Sequence, residues 1–232
     1  MCFRRVVLFP VLSAVLFAAC SPSTPKLDRR AMQTIVLTPS ARELPAGWSA
    51  VEFREVVQRA AARWSYPNTP CGVQVAVGEP RAEWRAIRDN IDLVAIRQRS
   101  WCHNGRCTPT TTYPLRAIGM TTIYPEGATG RAVTEADIEI NGVFFGFTNV
   151  ATPPIAAQPD RSVRLESVLT HEIGHVLGLA DVCGEHRTAS GRPETSACSP
   201  VDRERMMFAA GDHESLAAGD VAALCQLYPP AE

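Results

Sequence analysis

Apolar residues recur along this chain with two different periods, and the changes of period divide it into elements. Over 49–64 the spacing is helical: Phe53, Val56, Val57, Ala60 and Trp64 share one face, and Ser49 with Glu52 makes a capping box. Pro67 and Pro70 end that helix. Four short strand-like runs follow, at 73–77, 91–96, 118–124 and 136–140, separated by turn formers. Helical spacing returns over 165–177, with Leu165, Val168, Leu169, Val176 and Leu177 inward. It returns again over about 216–228, with Val221, Leu224, Cys225 and Tyr228 inward and Pro229 as the stop. One helix, several strands and two more helices predict a single α+β domain with a mixed, twisted sheet. The stretches 141–161 and 182–205 are long for plain connections and are candidate binding loops.

The first residues follow neither period. Arg4 and Arg5 precede a nearly continuous apolar run over 6–19, too short for a comfortable membrane span and suited to a signal peptide. Leu16-Phe17-Ala18-Ala19-Cys20 resembles a bacterial lipobox, which implies that Cys20 is lipidated and becomes the mature N-terminus. The Ser/Pro-rich sequence after Cys20 suits a flexible tether. The expected organisation is therefore a signal at 1–19, a lipidated cysteine and tether at 20–47, and one domain at 48–232, with no propeptide between. The expected location is the cell envelope, through a lipid anchor; plain signal cleavage would instead give a secreted soluble protein.

The 232 residues, 46% hydrophobic, suffice for one substantial core. Net charge is −1, falling to −3 without Arg4 and Arg5, and no long basic stretch occurs, so nucleic acid is a poor partner. A monomer is expected. Export changes the meaning of the cysteines: beyond Cys2 and Cys20 remain Cys71, Cys102, Cys107, Cys183, Cys198 and Cys225, which an oxidising compartment would pair. Fifteen pairings of six cysteines exist. Cys102 and Cys107 bracket a turn-rich sequence, Cys183 and Cys198 bracket a polar one, and Cys71 with Cys225 is then the remainder.

The chemistry concentrates in one run, His171-Glu172-Ile173-Gly174-His175. Residues four apart share a helix face, so both imidazoles can meet one cation. Glu172 can then reach water on that cation without being a ligand. Gly178 is placed to end the helix in a left-handed conformation, and the reversed chain can bring Asp181 back to the metal.

His171-Glu172-x-x-His175-x-x-Gly178-x-x-Asp181 resembles the extended zinc motif of the metzincin metallopeptidases, nearest their matrixin-like branch. Ala136-Asp137-Ile138-Glu139-Ile140-Asn141 is similar to the strand before the active-site helix in matrixins. Met206-Met207-Phe208 falls where that family has its Met-turn, Met207 being the better match. Leu216, Asp220, Val221, Leu227 and Tyr228 fit its closing helix. The resemblance implies a metzincin-like fold with an active-site helix and a C-terminal helix, one catalytic zinc, and cleavage of peptide bonds in protein substrates with Glu172 as general base. The family's usual third ligand is histidine; Asp181 is similar to the snapalysin-like minority. Calcium on Asp137 and Glu139 is a further implication of the family, against a plain solvated strand face. Pro70-Cys71-Gly72 superficially resembles a propeptide cysteine switch, but it lies after the first helix, where a disulfide is the expected role of Cys71.

Three alternatives belong beside this reading. His186 is close enough in sequence to compete with Asp181 as ligand, and Glu194 or Glu204 could supply a third ligand of a different kind. A zinc-stabilised surface lipoprotein without turnover is the alternative function, which the spare Glu172 disfavours. His103 and His213 are expected to be solvated loop residues.

Overall fold

The structure, a computed structural model, describes residues 34–82, 85–125, 133–148, 162–183, 198–208 and 213–230. Five strands form one sheet in the order β2-β1-β3-β5-β4: β1 Thr34–Pro39, β2 Gln74–Val77, β3 Asp92–Arg97, β4 Gly119–Pro125 and β5 Val133–Asn141. β1, β2, β3 and β5 run parallel, and β4 alone is antiparallel, paired to β5 at one end of the order. The strand alternation makes the sheet two-faced.

One face is apolar and covered by helices. Helix α1 (Ala50–Trp64) starts at the expected capping box, with Ser49 and Glu52 bonded to each other's backbone N–H. Its buried Phe53, Val56, Val57, Ala60 and Trp64 share a core with Ile35 and Leu37 of β1, Val94 and Ile96 of β3, and Ile138 and Ile140 of β5. Helix α2 (Leu165–Val176) adds Leu165, Leu169 and Ile173 to that core. Trp64 Nε1 donates to the Thr170 carbonyl at 2.7 Å, and Arg59 and Arg63 grip Glu166, so α1 fixes the roll of α2. A short helix α3 (Pro200–Arg203), capped by Ser199, occupies part of the expected 182–205 loop. Helix α4 (Ala218–Leu227) closes the domain, and two small parallel strands, β6 (Gly146–Thr148) and β7 (Ser162–Arg164), precede α2. The α+β class, the mixed sheet and both later helices agree with the sequence.

Residues 20–47 are not a tether throughout. Thr34–Pro39 is an interior strand between β2 and β3, with Ile35 and Leu37 fully buried. Its β-branched run Thr34-Ile35-Val36 suits that place.

The second correction concerns the opposite sheet face. Asp137 and Glu139 are not solvated: with Glu135, Asn141 and Arg97 they are at most 1% exposed. Glu139 accepts from Arg97 Nε at 2.5 Å, the Tyr113 hydroxyl at 2.6 Å and the Asn104 N–H at 3.0 Å, with His103 Nδ1 at 3.1 Å. Burial opposes its ionisation, but His103, the Arg97 charge and Tyr113 outweigh it and hold the carboxyl below its ordinary value. Both Glu139 oxygens are thus occupied by protein donors, which leaves the calcium expectation no support there. His103 is half-buried in this network rather than a free turn residue. Burial and the Glu135 and Glu139 charges push Asp137 up to about 8, against a bond from the Leu93 N–H.

The three disulfides are Cys102–Cys107, Cys183–Cys198 and Cys71–Cys225, the pairing that the bracketed turns favour. Cys71–Cys225 ties α4 to the segment after α1, where the Gly72 N–H also reaches the Tyr228 and Pro229 carbonyls. No helix among the described residues is long and apolar enough to cross a membrane. Cys20 and the signal lie outside the described residues.

Candidate metal centre

α2 places His171 and His175 one turn apart, their rings nearly perpendicular at 87° with centroids 4.9 Å apart. The helix then stops as Gly178 predicts. Its φ is +91°, its N–H bonds the His175 carbonyl at 2.9 Å, and the Leu179 N–H bonds the Gly174 carbonyl at 2.9 Å. These are the two reversed bonds of a Schellman ending, which turns the chain back across its own last turn. Asp181 follows, with Oδ1 at 3.2 Å from His171 Nε2 and 3.4 Å from His175 Nε2.

The donor set fits a zinc ion. Ligand atoms about 2.0–2.1 Å from a tetrahedral zinc lie about 3.3–3.4 Å from one another, the spacing Asp181 keeps to both histidines. Each histidine is also in the right tautomer. His171 Nδ1 bonds the Met206 carbonyl at 2.8 Å and His175 Nδ1 the Leu179 carbonyl at 2.9 Å. A carbonyl only accepts, so both Nδ1 atoms carry hydrogen, and the two Nε2 atoms, on the side of Asp181, are the ones left to serve as ligands. Burial would lower His175, yet Asp181 and the Glu172 charge raise it to about 9. Burial would raise Asp181, yet the two histidines hold it well below the usual carboxylate range. Side chains of the three are 18%, 20% and 20% exposed, so a fourth position can face solvent. Among the described residues these are the one group of three or more His, Cys, Asp or Glu that could hold a metal ion.

Two backbone supports come from the turn after α3. Met206 bonds His171, and the Met207 carbonyl accepts from the Val182 N–H, beside Asp181, at 2.7 Å. The Met207 side chain is buried under α2 against Gly174, where any Cβ would overlap its sulfur. Asp220 of α4 is fully buried beneath this turn and accepts from the Met206 N–H at 2.7 Å and the Ala217 N–H at 2.9 Å. The sequence suggested Asp220 only as a residue of a closing helix, because an acid in a first helical turn also reads as a cap.

Glu172 is 5% exposed and outside the ligand group. Thr121 of β4 donates to its Oε2 at 2.6 Å, a contact no local sequence signal indicates. Of the alternative ligands, Glu204 is exposed at the end of α3 and outside the group, while His186 and Glu194 lie outside the described residues. His213 is half-buried rather than exposed, its carbonyl accepting from Ser167 Oγ at 2.8 Å.

No protein-family model matches this chain, and no curated protein matches it in sequence. Among solved structures, a crystal structure of myroilysin aligns at 13% identity and a TM-score of 0.40, covering 89% of this chain and 87% of that one. A second structure of myroilysin aligns at 13% identity and a TM-score of 0.38, covering 89% and 83%. Scores this low carry no argument about chemistry, which rests on the site itself.

Proposed function

We propose that this chain is a zinc-dependent endopeptidase of metzincin type, with His171, His175 and Asp181 as ligands and Glu172 as general base. One observation carries the reading: three ligand atoms converge at tetrahedral spacing with both histidine tautomers set, while a buried carboxylate stands beside them uncommitted to the metal. A structural zinc site is closed by four protein ligands and needs no such carboxylate.

Zinc held there supplies a Lewis acid and lowers the pKa of a bound water to about 7. The chain's own residues do the rest. Glu172 takes the proton from the attacking water and returns it to the departing amine nitrogen. Asp181 lowers the net charge of the site relative to a third histidine, which softens the Lewis acid. β4, at the end of the sheet, offers its outer edge for an extended peptide to add as an antiparallel strand. Met207 is the Met-turn methionine in this reading, packed below the ligands. The chain acts as a monomer, exported by residues 1–19 and anchored through an acyl chain on Cys20, which mass spectrometry of the mature N-terminus would reveal. Three disulfides support an oxidising compartment.

The test is casein cleavage by the purified mature protein, with and without chelator, beside Glu172→Gln and two ligand variants. Glu172→Gln should keep its zinc and lose about 10²–10⁴-fold in rate. Asp181→Ala should purify nearly metal-free and His186→Ala should match wild type. A Glu172→Gln protein as active as wild type would overturn Glu172 as the base, and a wild type that cleaves nothing would leave only the zinc-stabilised binding protein standing.

A further inference from the structure

Strand β4 does more than border the candidate site. Its register places Gly119 opposite Ile140 and Thr121 opposite Ile138, so both residues face the helix side of the sheet, towards α2. There they meet Glu172. Thr121 Oγ1 lies 2.6 Å from Glu172 Oε2 and 3.3 Å from the Glu172 carbonyl. Gly119 supplies the space: a Cβ on it would stand 2.5 Å from Glu172 Oε1 and 2.8 Å from both Cγ and Cδ. Among the described residues no other side chain donates to this carboxylate.

We propose that Thr121 is a positioning residue for Glu172, its hydroxyl and the bare Cα of Gly119 together seating the carboxylate, with Oε2 engaged by the hydroxyl and Oε1 lying over Gly119. The proposal rests on the reading of Glu172 as the base. A glutamate on a helix has three rotatable bonds and leaves its place readily unless something holds it. Threonine suits the holding because its branched Cβ restricts χ1 on a strand, so the direction of the hydroxyl is fixed by the sheet. A hydroxyl donating to an ionised carboxylate at this distance is a strong, charge-assisted bond. It also leaves the second oxygen without a competing donor. One element then sets two things at once: the edge along which a peptide would align and the place of the group that takes its proton.

The experiment uses Thr121→Val, which keeps shape and removes the donor, Thr121→Ser, which keeps the donor, and Gly119→Ala. Crystal structures of the metal-free variants give the place of the Glu172 carboxylate independently of turnover. Zinc content and steady-state kinetics on one peptide complete the set. Thr121→Val should bind zinc as wild type does, show the carboxylate displaced, and lose about ten- to a hundredfold in kcat with KM within about twofold. Thr121→Ser should restore both carboxylate and kcat to within a few fold. Gly119→Ala should displace the side chain and lower kcat although the hydroxyl remains. An unmoved carboxylate in Thr121→Val overturns the proposal, as does a Thr121→Ser protein no better than Thr121→Val. A wild type that cleaves nothing defeats the base reading instead, and the displaced carboxylate in the crystal still reports whether Thr121 holds it.

Discussion

Replacing Glu139 by leucine should be among the most damaging single changes in this domain, although it lies on the sheet face away from His171, His175 and Asp181. Glu139 side chain is 0% and Arg97 side chain 1% exposed, and their Nε–Oε1 contact is 2.5 Å. Without the carboxylate the buried Arg97 cation loses the counter-charge it touches at 2.5 Å, and breaking a buried pair in this way costs about 3–5 kcal/mol. The Tyr113 hydroxyl and Asn104 N–H lose their acceptor in the same step, adding on the order of 1 kcal/mol each where water cannot replace it. Against a total stability of about 5–15 kcal/mol that is a large share. Arg97→Met should also destabilise, since it leaves a buried carboxylate with its neutral donors only. The pair Arg97→Met/Glu139→Leu should recover much of the loss, because neither member of the ion pair is then left buried without the other. Urea unfolding of the four proteins at pH 7, with disulfides intact and zinc fixed, measures the cycle. The coupling should exceed about 2 kcal/mol. An additive cycle, or a Glu139→Leu protein within about 1 kcal/mol of wild type, would refute the account of this network. The sign with pH is also set. A carboxyl held below its ordinary value contributes stability present above that value, near 4.5, and lost as pH falls through the folded one.

Asp137, two residues away, should behave in the opposite sense. Its folded value near 8 lies above the ordinary 3.8, so its contribution is fully present below pH 3.8 and is lost as pH rises through about 8. Asp137→Asn keeps an acceptor for the Leu93 N–H and should stabilise the protein at pH 8 by on the order of 1–3 kcal/mol, with little gain at pH 4; equal shifts in Tm at both pH values would contradict this. Among the disulfides, Cys71–Cys225 closes a sequence separation of 154 and Cys183–Cys198 one of 15. Chain-entropy arithmetic gives about 5 and about 3 kcal/mol, so the Cys71→Ser/Cys225→Ser protein should melt lower than the Cys183→Ser/Cys198→Ser protein when both are compared metal-free.

What the sequence reveals here is what sits close together along it. His171, Glu172, His175, Gly178 and Asp181 occupy one helix end and its reversal, so their spacing states their geometry. α1, α2 and α4 are legible because each presents an apolar face with its own stop. β1 is not, because a short β-branched run beside a Ser/Pro-rich stretch gives no sign that it will be an interior strand. The acidic residues of β5 mislead for a different reason. Alternation shows that Glu135, Asp137 and Glu139 share a face, but not which face meets water. Here the segment carrying Trp101, His103 and Tyr113 covers the polar face, and Arg97 from β3 supplies the charge that makes burial tolerable. Thr121 and Asp220 are illegible because their partners lie far away in the chain, and the Met206 and Leu179 carbonyls because backbone groups have no sequence signature.

Those long-range contacts explain why the last part of the chain matters to a candidate site whose three residues, His171, His175 and Asp181, all precede it. Asp220 holds the Met206 N–H, the Met206 carbonyl sets the His171 tautomer, and the adjacent Met207 carbonyl holds Val182, the residue after Asp181. One peptide unit and its neighbour therefore orient His171 and Asp181, while the Met207 side chain lies against Gly174, next to His175. None of these groups belongs to the candidate ligand group, yet each removes a freedom that would otherwise have to be lost on metal binding. The Asp220 carboxylate can do this only while α4 stays docked, and α4 is fastened by Cys71–Cys225 to the segment that follows α1. α1 in turn fixes the roll of α2 through Trp64 and Thr170. The two histidines and the turn beneath them are thus held from both ends by one connected set of contacts, so a metal-binding geometry written locally in the motif depends on the closed domain to be rigid.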